Sequence, residues 1–247
     1  VASRGLGDVY KRQADHVPVP RGLIEPEYAA KLAGGIDPGR ATPVSGPGVP
    51  PNAATDLLER HTTHIAAADR SGNWVAITAT LNTSFGAKVT IPGTGIVLNN
   101  QMDDFVAAPG VPNSFGLVGG EANAVAPGKR PLSSMSPTLV LKDDRPEFSV
   151  GAAGGPTIIS QVAQALINRI DLDMSLPEAI AAARVHHQWQ PDRLSVERSL
   201  PVAIQERLKE KHHQLRLVDS LGVSQGVWIG GDGRLQAVVE PRLTRAQ

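Results

Sequence analysis

The segment ERHTTHIAAADRSGNW, residues 59–74, places two threonines between two histidines, just after a Pro/Gly-rich stretch and just before a strand-like run. A threonine hydroxyl is a weak nucleophile unless a base lies beside it. One solution is a threonine at the start of a chain, whose own α-amine serves as the base. Thr62 would reach that position if its hydroxyl attacked the carbonyl of His61 and the resulting ester were hydrolysed. On these residues alone, an ordinary threonine pair that starts a β-strand is the stronger interpretation.

Composition excludes several classes of function. The 247 residues carry 24 acidic and 24 basic side chains, which argues against nucleic acid or an anionic membrane as the main partner. The chain has no cysteine, which excludes disulfides, thiolate metal sites and a cysteine nucleophile. No apolar run reaches the roughly 18 residues of a membrane span. Adjacent His186 and His187 lack further ligands at metal-site spacing, so we interpret them as structural and expect no metal.

The first quarter of the chain differs in character from the rest. Residues 3–13, SRGLGDVYKRQ, resemble the translation of a sequencing adapter, so we treat residues 1–13 as non-native and expect a truncated reading frame. Residues 14–61 contain a short helical candidate, EPEYAAKLAGG, followed by a linker. That linker, residues 35–55, has five prolines and no hydrophobic periodicity.

From Thr62 onward the pattern is typical of a globular α+β domain. Strands are predicted at TTHIAAAD and WVAITATLN, and then at residues 95–100, 137–142 and 147–152. Two helices follow, one with an apolar face from Ile158 to Ile170 and one after a capping box at Ser175 and Glu178. A third helix begins at Pro201, and two closing strands flank a Gly-Asp-Gly turn at residues 231–233. Strands, then helices, then strands indicate a layered α+β fold rather than a βαβ parallel sheet.

The strand at residues 74–82 has two distinct faces. Alternation puts Val75, Ile77, Ala79 and Leu81 on one fully apolar face. The hydroxyls of Thr78 and Thr80, followed by the amide of Asn82, lie on the other face.

Five segments together resemble one known family: TTHIAAADRSGNWVAITATLNTSFG, GIVLNNQMDDF, PGVPNSFGLVGGEANAVAPGKRPLSSMSPT, VGAAGG and ARVHHQWQPDRLSVE. In this order they are similar to the small subunit of γ-glutamyltransferases, also called glutathione hydrolases. The resemblance runs from Thr62 to about Arg242, and residues 14–61 resemble the tail of the large subunit. It implies the αββα sandwich of N-terminal nucleophile hydrolases, of which residues 62–247 form the small catalytic subunit and the chain supplies only part.

The resemblance also implies roles for individual residues. Thr62 matches the nucleophile released by cleavage between His61 and Thr62, and Thr80 matches a second threonine that hydrogen-bonds it. The matching substrate-binding residues are Asn82, Gln101 and Asp104 for the γ-glutamyl moiety, Ser133 and Ser134 for its α-carboxylate, and Gly154 and Gly155 for the oxyanion. Without the family, Asp104 would be interpreted as a solvated loop carboxylate, and the serine and glycine pairs as turns.

One residue departs from the family pattern. Residues 109–120, PGVPNSFGLVGG, resemble the lid loop over the γ-glutamyl pocket. Many lid-bearing members have a tyrosine at Phe115, and its loss removes a possible hydrogen bond to Asn82. This puts the closure of the lid in question, but not the chemistry.

The implied reaction is attack of Thr62 on the γ-glutamyl amide of glutathione or a related compound, with water or an amino acid as acceptor. No metal or organic cofactor is required. The expected partner is the protein's own large subunit, which also supplies an arginine for the substrate carboxylate, and the expected location is periplasmic or secreted. Residues 14–247 alone are expected to be inactive. Two alternatives stay open: a glutaryl-type β-lactam acylase, and an unprocessed, non-catalytic homologue.

Overall fold

The computed structural model describes residues 26, 30, 33–41 and 62–244, except 107, 109, 114, 189 and 190. The adapter-like segment, most of the linker and His61 lie outside the described residues. In chain order the elements are β1 (Thr62–Ala68), β2 (Trp74–Thr80), β3 (Thr138–Lys142), β4 (Arg145–Ala153), α1 (Thr157–Ile170), α2 (Leu176–Ala181), β5 (Val185–His186), β6 (Leu194–Glu197), α3 (Val202–Glu210), β7 (Leu215–Val218), β8 (Val223–Ile229), β9 (Leu235–Val238) and α4 (Pro241–Thr244). Within these ranges, no helix is both long and apolar enough to cross a membrane.

β1 and β2, the first two predicted strands, pair as an antiparallel hairpin. The turn between them is closed by Asp69, whose Oδ1 accepts hydrogen bonds from the backbone amides of Ser71 and Asn73 at 2.9 and 3.0 Å. Gly72 has a φ of 88°, a backbone conformation that is strained for residues other than glycine. These contacts fix the turn, and the turn fixes the register in which Thr62 lies opposite Thr80.

A four-stranded antiparallel sheet in the order β3-β4-β8-β9 lies at the centre. α1 and α2 cover one of its faces, and the core between them contains Val140, Phe148, Val150, Ala152, Ile158, Val162, Ala165, Leu176, Ile180 and Val238. The predicted capping box at the start of α2 is present, with the Ser175 hydroxyl and the Glu178 carboxylate each accepting the other residue's backbone amide. The position of Ser175 explains why α2 begins where it does.

The hairpin packs on the opposite face of this sheet. Successive residues of β4 face opposite sides of the sheet. Phe148 and Val150 face the helices. Gly151 faces the hairpin, because a Cβ added there would lie 2.2 Å from the His64 ring of β1. The layers are therefore helix, sheet and hairpin. The outer face of the hairpin is apolar and open, with Ile65 54% and Ile77 51% exposed.

A second small sheet was not predicted from the sequence. β5 pairs antiparallel with β6, and β6 pairs in parallel with β7, which follows the connecting helix α3. β6, α3 and β7 form one βαβ unit within the predicted layered α+β fold.

The strand predicted at residues 95–100 is also wrong. The segment forms only an isolated bridge between Thr90 and Val97, in an arm that folds back on itself. Gly93 and Gly95 at the tip have φ values of 76° and 70°. Among the described residues, the backbone of Leu98 bonds with Ala87 and Val89 in the preceding half of the same arm, and no strand ladder forms there.

Candidate active site

Thr62 and Thr80 are joined at the end of the hairpin. Their Oγ1 atoms are 2.9 Å apart, a hydrogen bond in which either hydroxyl can donate. The backbone amide of Asn82 donates to the same Thr80 oxygen at 2.9 Å. Thr63, by contrast, is exposed on the outer face of β1. The structure thus separates the two adjacent threonines, and only Thr62 faces the predicted site.

Asn82 and Asp104 are held by their surroundings. Asn82 is buried in a left-handed conformation with a φ of 81°, and its side-chain amide donates to the Asn100 carbonyl at 3.2 Å. Gln101 and Asp104 begin and end a single 3₁₀ turn. The Gln101 side-chain amide donates to Asp104 Oδ2 at 2.7 Å, which orients the carboxylate.

One narrow pocket brings most of the predicted residues together. It is lined by Thr62, Thr80, Asn82, Gln101, Asp104, Phe115, Ser133, Ser134, Met135, Gly155 and Ile158. Its volume is about 20 Å³, room for about one water molecule. Asp104, Phe115, Ser133 and Ser134 also line an adjoining cavity of about 590 Å³. Met135 and Ile158 were not predicted as lining residues, because apolar side chains carry no chemical signal in the sequence.

Gly154 and Gly155 form a turn, called here the glycine turn, between β4 and α1. Their φ values are 141° and 57°. Gly155 is among the residues that line the pocket, and Gly154 is its neighbour in the turn. Within the described part of the chain, neither glycine amide donates to a protein acceptor. Two available N–H groups at the start of a helix can stabilise a negatively charged oxygen.

Phe115, the predicted lid residue, is held through its backbone. Its carbonyl accepts a hydrogen bond from the Gln188 side chain at 3.3 Å, and Gln188 in turn contacts His186 at 2.9 Å. A Cβ added to Gly155 would lie 3.1 Å from the Phe115 ring, so the ring packs against the glycine turn. Both contacts hold the loop without the tyrosine hydroxyl that Phe115 lacks.

Each of the paired histidines, His186 and His187, has a side-chain partner. His186 is buried, and its Nδ1 is 2.7 Å from the Ser160 hydroxyl. His187 Nε2 is 3.0 Å from an Asp192 carboxylate oxygen.

His64 was not singled out in the sequence, yet it lies beneath Thr62 on the inner face of β1. Its Nδ1 is 2.8 Å from the Thr78 hydroxyl, and its Nε2 is buried without a partner among the described atoms. Burial lowers the pKa of His64 from 6.5 to about 4. The imidazole therefore remains neutral at the pH where an exposed histidine becomes charged.

This shift predicts a loss of stability in mild acid. Unfolded His64 takes up a proton near pH 6.5, whereas the folded protein resists protonation until about pH 4. The unfolding free energy should therefore fall as the pH drops through this window, by about 2–3 kcal/mol in all. Urea unfolding of the wild type and of His64→Gln at pH 7 and pH 4.5 measures the effect. An equal fall in both proteins would contradict the assignment to His64.

Comparison with known proteins places these features in a family. The family model described as gamma-glutamyltranspeptidase matches residues 1–247. The glutathione hydrolase proenzyme of Escherichia coli is 44% identical over 234 residues, which are 94% of this chain and 40% of that protein. The corresponding proenzyme of Pseudomonas aeruginosa is 39% identical over 92% of this chain and 40% of its own length. The chain thus spans about two fifths of the length of these relatives.

Solved structures agree with the sequence relatives. A threonine-to-alanine mutant of Helicobacter pylori gamma-glutamyltranspeptidase superposes with a TM-score of 0.70 at 42% identity, covering 73% of this chain and 99% of that one. The cephalosporin acylase of Bacillus halodurans has a TM-score of 0.74 at 26% identity, covering 92% of this chain and 39% of that one. These likenesses confirm the expected N-terminal nucleophile hydrolase fold. The chain belongs to the γ-glutamyltranspeptidase family.

Proposed function

We propose that this chain carries the catalytic subunit of an enzyme that hydrolyses or transfers γ-glutamyl groups, with Thr62 as the nucleophile. The observation that carries the proposal is the pair of hydroxyls of Thr62 and Thr80, 2.9 Å apart at the edge of the pocket. Asp104, Ser133, Ser134 and Gly155 of the glycine turn line the same pocket. These residues would supply partners for the α-ammonium and the α-carboxylate of a γ-glutamyl substrate, and for the negatively charged oxygen of the transition state.

The proposed nucleophile must first be released. The Thr62 hydroxyl attacks the carbonyl carbon of His61, the peptide C–N bond breaks, and the Thr62 nitrogen becomes an amine while an ester forms. Water then hydrolyses the ester and frees the His61 carboxylate. Residues 62–247 are about three quarters of the chain, close to the 73% that spans nearly all of the H. pylori chain. This agreement supports a division before Thr62.

In the proposed turnover, the α-amine of Thr62 accepts the hydroxyl proton as Oγ1 attacks the γ-carbonyl carbon. The substrate oxygen gains negative charge and accepts hydrogen bonds from the amides of the glycine turn. The amide C–N bond breaks, and the protonated amine passes its proton to the leaving group. Water or the amine of an acceptor then attacks the γ-glutamyl ester and restores Thr62.

The substrate class follows from the polar lining of the pocket. Asp104, oriented by Gln101, would pair with the α-ammonium of the γ-glutamyl group, and Ser133 and Ser134 would bind its α-carboxylate. Glutathione is the substrate that the names of the curated relatives indicate. A glutaryl substrate lacks the ammonium, which would leave Asp104 without a function, and the acylase is the more distant relative at 26% identity. The β-lactam acylase alternative is therefore not favoured.

The partner is proposed to be a large subunit. The outer face of the hairpin is apolar, and a covering layer there would complete the four-layered sandwich. A periplasmic or secreted location is proposed from the family resemblance.

The decisive experiment uses the full protein with its large subunit. Mass spectrometry detects whether a new N-terminus appears at Thr62, and a chromogenic γ-glutamyl anilide measures turnover. An uncleaved protein without turnover would instead favour the non-catalytic homologue.

The role of Asp104 leads to a prediction. Asp104→Ala should raise KM and lower kcat/KM for γ-glutamyl substrates by roughly ten- to hundredfold, because a charge-assisted hydrogen bond to the ammonium contributes ~1.5–3 kcal/mol. Asp103→Ala is the matched control, since the exposed Asp103 carboxylate accepts a hydrogen bond from Asn100 and is not among the residues that line the pocket. With a substrate that lacks the α-amino group, Asp104→Ala and the wild type should differ little. An undiminished difference would show that Asp104 acts elsewhere.

A further inference from the structure

We propose that Gln161, in the second turn of α1, is a positioning residue that aims the amides of the glycine turn into the active site. The inference rests on the proposed function and adds a residue that neither the motifs nor the pocket lining identifies. Gln161 does not line the pocket, and its side chain is buried behind the glycine turn with an exposed fraction of 2%.

The carbonyls of the glycine turn are held from behind. Gln161 Nε2 donates to the Ala153 carbonyl at 3.1 Å. Thr157 Oγ1 donates to the Gly154 carbonyl at 2.7 Å, and itself accepts a second hydrogen bond from Gln161 Nε2 at 3.0 Å. Two side chains of α1 therefore hold two successive carbonyls.

These carbonyls matter because each shares a rigid peptide plane with one oxyanion donor. The Ala153 carbonyl and the Gly154 N–H belong to one planar trans unit, and the Gly154 carbonyl and the Gly155 N–H belong to the next. In a trans unit the N–H points away from the C=O. Holding the carbonyls toward α1 thus fixes the opposite direction for both N–H groups. A hydrogen bond to each carbonyl also polarises the peptide and strengthens its N–H as a donor.

The orientation of the Gln161 amide is fixed by chemistry. Its Oε1 accepts from the Ser224 hydroxyl at 2.9 Å and from Arg184 Nη1 at 3.2 Å. Because a guanidinium only donates, the oxygen must face Arg184 and the nitrogen must face Ala153. Both N–H groups and both acceptor positions of Gln161 are then used, so the side chain has one arrangement.

A buried ionic group anchors Gln161 in turn. Arg184 Nη2 donates to Glu240 Oε2 at 2.7 Å, and Glu240 also accepts from Arg242 Nη1 at 2.8 Å. Arg184 is 4% exposed and Glu240 is fully buried. Arg184 Nη1 also donates to the Leu221 and Gly222 carbonyls at 3.3 and 3.4 Å, so the guanidinium that contacts Gln161 is held by several acceptors and cannot shift without breaking hydrogen bonds in the interior. The glycine turn is therefore connected, through Gln161, to a rigid buried network of charged side chains rather than to a mobile surface.

The helix provides a matched control one turn later. Gln164 is also fully engaged: its Nε2 donates to the Ser160 and Val185 carbonyls at 2.8 and 2.7 Å, and its Oε1 accepts from the Val185 amide at 3.0 Å. It holds β5, and among the described residues its side-chain hydrogen bonds go to Ser160 and Val185 rather than to the glycine turn. Replacing Gln164 therefore measures the general effect of removing a hydrogen-bonded glutamine from α1.

The test compares Gln161→Met with Gln164→Met in the full protein with its large subunit, using a γ-glutamyl anilide. Gln161→Met should lower kcat by about tenfold or more, because misaligned amides lose strength mainly in the transition state. Binding of free glutamate should change less than about twofold, since it makes no oxyanion. A γ-boronic acid analogue, whose adduct with Thr62 is tetrahedral, should lose affinity by the same factor as kcat. Gln164→Met should retain the wild-type kcat and boronate affinity.

A second pair of variants keeps the test decisive if Gln161→Met fails to fold. Thr157→Val removes the hydroxyl that holds the Gly154 carbonyl and should lower kcat and boronate affinity together, whereas Thr157→Ser should restore both. Equal kcat values in Gln161→Met and Gln164→Met, or in the two Thr157 variants, would overturn the inference while wild-type activity leaves the proposed function standing. A correctly cleaved wild type without γ-glutamyl turnover would refute both.

Discussion

Thr62→Ala is expected to abolish both self-cleavage and γ-glutamyl turnover in the full protein. A single hydroxyl attacks in both reactions, first at the His61 carbonyl and then at the substrate. The 2.9 Å contact with Thr80 aligns that hydroxyl, and no neighbouring hydroxyl on the outer face of β1 can reach its place. Gel electrophoresis shows whether the chain remains whole, and an anilide assay measures the remaining turnover.

Two control variants separate Thr62 from its neighbour. Thr63→Ala should be much milder, because Thr63 lies exposed on the opposite face of the strand. Thr62→Ser should retain cleavage, since it keeps a hydroxyl in the same place. A Thr62→Ala protein that still separates into two subunits would refute the assignment, and equal losses in both alanine variants would show that the nucleophile was chosen wrongly.

Residues 14–247 expressed without a large subunit are expected to aggregate and to lack all γ-glutamyl turnover. The outer face of the hairpin presents Ile65, Val75 and Ile77, which are 54%, 44% and 51% exposed. Apolar strands open to solvent favour association between chains. The resemblance also assigns an arginine of the large subunit to the substrate carboxylate, so Ser133 and Ser134 would act without a cation.

Light scattering, mass spectrometry at Thr62 and the anilide assay together measure this outcome. Replacing Ile65 and Ile77 with threonine keeps the β-branched shape and should reduce aggregation without restoring turnover. A soluble, cleaved and active product from residues 14–247 would show that the large subunit is dispensable.

Sequence periodicity was sufficient for the hairpin but not for its register. The alternation of residues 74–80 correctly placed Thr80 on the polar face, because side chains alternate strictly along a strand. That Thr62 lies opposite Thr80 depends on the turn at Asp69, whose hydrogen bonds fix the pairing. The residue types at this position indicate a turn, but they do not specify the hydrogen bonds that set its geometry.

Two other differences have a common physical cause. The segment at residues 95–100 contains a short apolar run typical of a strand, but its backbone bonds mainly to its own arm and reaches Leu81 only through the amide of Asn100. The strands β6 and β7 are only four residues long, too short for a reliable pattern, yet they pair in parallel. Strand formation depends on the neighbour that the fold supplies, and local sequence does not record it.

The buried polar network behind the glycine turn was the least predictable feature. Gln161, Arg184 and Glu240 are residue types that usually lie at the surface. They become an interior network only when α1, the segment before β5 and the chain after β9 meet. The family resemblance identified the glycines but not what holds them.

The turn at residues 69–73 has a consequence for natural variation. It lies about 20 Å from Thr62, since β1 has seven residues at about 3.3 Å each. A one-residue insertion or deletion there would shift the pairing and could bring Thr63 rather than Thr62 opposite Thr80. Homologues should therefore conserve the length of this remote surface turn together with Asp69 and Gly72, which fix it, while the side chains of Arg70 and Ser71 vary freely. A change of length there would disable the nucleophile from a distance, and surveys of variants would misread it as a harmless loop polymorphism.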